Sequence, residues 1–151
     1  MGLSYLRIIS GLPGWSPDER TAGQLASAAR DLFGGRSEGI SAEDRGKIVF
    51  VDQGEWFEQV RCPKCGTAID IHWWQDRMDE AYATGFTNLA VRTPCCGFDT
   101  SLNDLDYHLP AGFARFVIEV RELENTYAEE EEIVQLSRIA GRPMRQIAAH
   151  Y

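Results

Sequence analysis

Cys62-Pro63-Lys64-Cys65-Gly66, answered further on by Cys95-Cys96-Gly97, decides how this chain is laid out. A Cys-x-x-Cys turn closed by glycine brings two thiolates to one point. Pro63 stiffens the turn, and Gly66 permits the positive φ that aims backbone amides at sulfur. Two such pairs predict one zinc ion held by Cys62, Cys65, Cys95 and Cys96. Zinc caged by four sulfurs has no open coordination position, so the expectation is a structural staple, and no residue is assigned a catalytic role. The opposing reading, four buried free thiols, sits poorly with two close pairs that are each followed by glycine.

The first pair resembles the Cys-Pro-x-Cys-Gly knuckle of zinc-ribbon proteins. The second departs from it, because Thr93-Pro94-Cys95-Cys96-Gly97 has Thr in the first cysteine's place and Cys in the variable place. Either Cys95 and Cys96 both ligate, which requires neighbouring side chains to converge, or only one does and His72 or His108 supplies an imidazole. The all-sulfur set is preferred because both sulfurs lie inside the knuckle. The run Thr93–Leu102 is also similar to the core of small bacterial cysteine-rich proteins carrying Cys-Pro-Cys-Cys-Gly followed by an aromatic. Some of those proteins accompany toxin systems, and the similarity implies an immunity or adaptor role.

Composition bounds the partners. The 151 residues allow one core, or one core with a small metal-organised lobe, and 44% hydrophobic with 25% charged residues is ordinary for a folded chain. The formal charge is −8, and the segment from Glu55 to His108 carries nine acidic against four basic side chains. Such a balance disfavours phosphate backbones and favours a protein partner, one whose face is basic. Neither a P-loop nor a strand-following G-x-G-x-x-G pattern is present, so nucleotide binding is not expected. No apolar run is long enough to span a membrane and the start lacks signal-peptide features, which with the paired cysteines predicts a cytoplasmic protein.

Outside the knuckles, periodicity supplies the frame. Tyr5–Ile9 reads as a strand. Ser16-Pro17-Asp18-Glu19 reads as a capping box opening a helix whose stripe is Ala22, Leu25, Ala28, Ala29, Leu32 and Phe33, stopped at Gly34-Gly35. Ile48–Val51 is a continuous apolar run, expected of a central strand. Phe113–Val120 alternates as a strand, Thr126 and Glu129 form a second capping box, and Ile133, Leu136 and Ala140 mark that helix's inner face before Met144–Ala149 closes the chain as a strand. No internal repeat is evident. This order resembles the ferredoxin-like β-α-β-β-α-β plan, so the expectation is an α+β fold with residues 1–54 and 109–151 as its core and 55–108 as a zinc-ribbon insert between the second and third strands. A single mixed sheet continued by the ribbon strands is the runner-up.

Within the insert, Ile71–Tyr82 reads as a helix with Trp74, Met78, Ala81 and Tyr82 on one stripe, and one of Trp73 and Trp74 stands out as a candidate anchor for a partner. Asp104, Asp106 and His108 alternate and predict a polar strand face, while His72 and Asp76 are spaced for one helix face. The function read from these features is a zinc-stabilised, non-enzymatic protein-interaction module. Two alternatives stand beside it. A zinc-dependent hydrolase would need an open metal position beside Asp99, Asp104 or Glu58, and a nucleic-acid-binding ribbon would need Arg61, Lys64 and Arg92 to form a basic surface.

Overall fold

The computed structural model describes residues 2–151. Strand β1 (Ser4–Ser10) leads into helix α1 (Glu19–Phe33), then a 3-10 turn and the long strand β2 (Gly39–Val51). A lobe of short elements follows: β3 (Val60–Arg61), α2 (Ile71–Ala83), β4 (Ala90–Arg92), β5 (Asp99–Ser101), a 3-10 turn over Leu102–Asp104, and β6 (Asp106–Tyr107). The chain then returns through β7 (Gly112–Arg121), α3 (Glu130–Ala140) and β8 (Met144–His150). The class is mixed α+β.

The principal sheet has four strands in the order β2-β7-β1-β8, antiparallel at every pairing. Phe116, Ile118 and Val120 of β7, with Leu6 and Ile8 of β1, face α1 through Leu25, Ala28, Ala29 and Phe33 and face α3 through Leu136. Both helices therefore cover the same side of the sheet. The side chains of alternate residues, Val117 of β7 and Ile9 of β1, join Val49, Val51 and Ile147 on the other side.

Several local expectations shift. Asp18, not Ser16, caps α1 by accepting from the Thr21 N–H at 2.7 Å, and the Ser16 hydroxyl instead donates to Asp44. The second capping box forms between Glu129 and Glu132, three residues beyond Thr126, whose φ of 68° places it in the preceding turn. Ile48–Val51 belongs to a strand at the sheet's edge and not to a central one. The run is sheltered from one side by the lobe, which is what its continuous apolarity reflects: Ile48 and Phe50 pack into the lobe's apolar cluster.

The β3–β6 and β4–β5 pairs are separate two-stranded sheets, so the runner-up arrangement of one continued sheet does not occur. The lobe is fastened to the sheet by packing, by contacts of Glu55 and Trp56 with His150 of β8, and by Asn103. Phe113 of β7 is fully buried between Phe50 and Phe86, with ring centroids 5.0 and 5.1 Å away. Asn103 donates to the Gly11 carbonyl at 3.0 Å and accepts from the Phe113 N–H and from Arg145, both at 2.9 Å. Inside the lobe, the Trp74 indole N–H donates to the buried Tyr107 hydroxyl, which in turn donates to the Leu102 carbonyl.

Candidate metal centre

Each cysteine pair sits at the tip of a β-hairpin. In the first, the Cys62 N–H donates to the Thr67 carbonyl at 2.9 Å, the Gly66 N–H donates back to the Cys62 carbonyl at 3.0 Å, and Arg61 donates to the Gly66 carbonyl at 2.9 Å. In the second, the same three bonds recur: Thr93 N–H to Phe98 carbonyl at 2.9 Å, Gly97 N–H to Thr93 carbonyl at 3.1 Å, and Arg92 to Gly97 carbonyl at 3.2 Å. Gly66 and Gly97 hold φ values of 75° and 67°, which only glycine adopts without cost. The two tips thus share the pattern Arg-x-Pro-x-Cys-Gly, at 61–66 and 92–97, with two of the six letters differing, Cys62 against Thr93 and Lys64 against Cys95.

That equivalence fixes what each residue does. Cys65 corresponds to Cys96, Cys62 to Thr93, and Lys64 to Cys95. Thr93 is buried, its hydroxyl accepting from the Phe98 N–H at 2.9 Å and lying 3.6 Å from the Cys96 sulfur. The fourth sulfur comes from Cys95, one position before the usual second ligand. The Cys62 and Cys96 sulfurs are 3.7 Å apart, those of Cys65 and Cys95 are 3.4 Å apart, and all four lie within 4.8 Å of one another. A tetrahedral ion with zinc–sulfur bonds of about 2.3 Å requires edges of about 3.8 Å, so the donor set fits. These separations also exclude a disulfide, whose sulfurs stand at about 2.05 Å.

The electrostatics favour thiolate at one tip more than at the other. Backbone N–H groups of Cys65 and Lys64 hold the Cys62 thiol down to about 6, with Cys65 the larger contributor. The Thr67 hydroxyl, 3.2 Å away, lowers that of Cys65. Desolvation pushes Cys95 up to about 11, with the neighbouring Cys65 sulfur adding to it. A bound dication would reverse that penalty by neutralising the sulfurs as they ionise.

The remaining candidates disperse. Among the described residues no His, Asp or Glu joins the sulfur group, so neither His72 nor His108 takes part. His72 lies in the first turn of α2 and gives its backbone N–H to the capping Asp70, and His108 pairs with Glu58 at 3.2 Å. Asp104 sits in a 3-10 turn near the Ser101 hydroxyl and Asp106 in β6, so the expected continuous polar strand is broken between them. Asp99 pairs with Arg92 at 3.3 Å. Of the three cations weighed for nucleic acid, Arg61 and Arg92 are committed to their knuckles and Lys64 lies 5.4 Å above the Phe98 ring. Trp74 is buried and Trp73 half-buried beneath Arg77, while Tyr82 projects to solvent at 69% exposure instead of completing the inner stripe of α2.

No protein-family model matches this chain, no curated protein matches its sequence, and no solved structure matches its fold. Among the described residues no helix is long and apolar enough to cross a membrane.

Proposed function

We propose that this chain is a zinc-stabilised, non-catalytic protein-interaction module of the adaptor or immunity type, with Zn²⁺ on Cys62, Cys65, Cys95 and Cys96. One observation carries the reading: four sulfurs from two matched hairpin tips converge at tetrahedral spacing, and among the described residues no His, Asp or Glu joins them. An ion so held has its coordination filled by protein, and a filled shell stabilises a fold without activating water or substrate. The geometry at each tip, a hairpin closing on Arg-x-Pro-x-Cys-Gly, supports the zinc-ribbon resemblance. The strand order β2-β7-β1-β8 with both helices on one side supports the ferredoxin-like plan, the lobe interrupting its second and third strands. The acidic first turn of α3, Glu130–Glu132, and the net charge of −8 favour a partner with a basic face.

Metal analysis with X-ray absorption on the purified chain tests the centre. One zinc per chain with four sulfur neighbours is expected. Cys62→Ser should lose the metal and the ordered lobe, whereas His72→Ala and His108→Ala should keep both. Zinc retained by Cys62→Ser, or a light-atom ligand in the native shell, would sink the assignment.

A further inference from the structure

We propose that the open edge of β2 at Lys47–Phe50, with the apolar trough beside it, is the docking site for an extended, apolar C-terminal segment of a partner protein. The segment adds antiparallel to β2 and sets its carboxylate on Lys47. This rests on the interaction-module reading and names the surface and the partner chemistry.

Strand β2 has a neighbour, β7, on one side only. Its register with β7 breaks between Asp44 and Val49, and no turn or loop backbone bond among the described residues ends on 45–50. Lys47 and Ile48 lie in that break, outside the β7 ladder, while Val49 and Phe50 pair with Ala114 and Phe113, so the side of β2 away from β7 is an open edge to which an extended chain can add. Beside the edge lies a trough of about 420 Å³, lined by Lys47–Phe50, by Tyr82 of α2 and by Phe86 in the turn that follows α2. It meets a second hollow of about 500 Å³ at Ile48 and Phe86. A partner strand of about four residues, about 13 Å long, matches this stretch.

Charge selects the occupant. On a protein of net charge −8, the two hollows contain one charged side chain, Lys47, exposed and with no ion-pair partner among the described residues. The lining suits apolar side chains, and the lone cation suits one carboxylate. Antiparallel addition to β2 brings the incoming chain's C-terminus to the Lys47 end, where that carboxylate is needed.

A heptapeptide library with free C-termini, and the same library amidated, is screened against the zinc-loaded full chain, and binding of selected peptides is followed by fluorescence anisotropy. We expect enrichment of sequences with alternating apolar residues. Their affinity should fall about tenfold or more on amidation and in Lys47→Glu, by loss of one charge-assisted contact. Tyr82→Asp should weaken them as well, while Lys64→Glu, at the knuckle, should leave them unchanged. No enrichment, or peptides indifferent to amidation and to Lys47→Glu, overturns the proposal. A dimer in sedimentation equilibrium that Lys47→Glu dissociates also overturns it, in favour of a second copy on this edge. If native partners bind Lys47→Glu and the parent chain equally, the trough assignment falls alone; if neither captures a partner, the module reading falls with it.

Discussion

Thr93 shows how much one side chain decides at the sulfur cluster. It stands in the place that Cys62 holds in the first knuckle, yet its hydroxyl is spent on the Phe98 N–H, and the cluster's fourth sulfur is that of Cys95. Thr93→Ala should therefore destabilise the lobe by about 1 kcal/mol, the cost of an unpaired buried donor, with zinc stoichiometry unchanged. Denaturant melts read against metal content check it. The uneven thiols make a second prediction. Protons leave as zinc binds, but Cys62, held down to about 6, is already largely thiolate at pH 7, whereas Cys95, at about 11, is not. Calorimetry in buffers of different ionisation enthalpy should find fewer than four protons released per zinc near pH 7, and apparent affinity should still rise between pH 7 and 9 as the remaining thiols ionise.

At the scale of elements, the bent edge strand β2 is held by Asp44. Its carboxylate accepts from the Ser16 hydroxyl, the Gly46 N–H and the Arg115 guanidinium, and these contacts, the Ser16 bond foremost, lower its pKa. Gly46, at φ of 80°, carries the turn that breaks the β7 register. A depressed carboxylate stabilises the fold fully above its unfolded value of about 3.9 and ceases to do so as pH falls through its lower folded value. Asp44→Asn should therefore lower stability at pH 6 modestly, since the group is exposed, and should converge with the parent protein by pH 2. Acid titration of both, followed by circular dichroism, checks the sign. A difference that grows toward low pH would contradict it.

Across the whole molecule, lobe and sheet share a core. Phe113 belongs to β7 yet is buried in the lobe's cluster against Phe50 and Phe86. Phe113→Ala should cost about 3–5 kcal/mol and loosen the lobe and the adjoining end of the sheet together. Hydrogen exchange would show this as faster exchange at both Val60 and Ala114. Loss confined to the sheet would mean that the lobe does not depend on this shared core.

How far residues alone determined this protein follows from the range over which each feature acts. The helix stripes of α1 and α3, the strands β1, β7 and β8, and the four sulfurs were legible, because periodicity and a turn of five residues are local properties. Cap positions moved by two or three residues, since Ser16 found Asp44, a partner far along the chain. The exclusion of His72 and His108, the roles of Thr93 and Asn103, the edge position of β2 and the exposure of Tyr82 belonged to the tertiary structure alone. Each depends on which segments meet in space, and neither spacing nor composition encodes the distance between two hairpin tips.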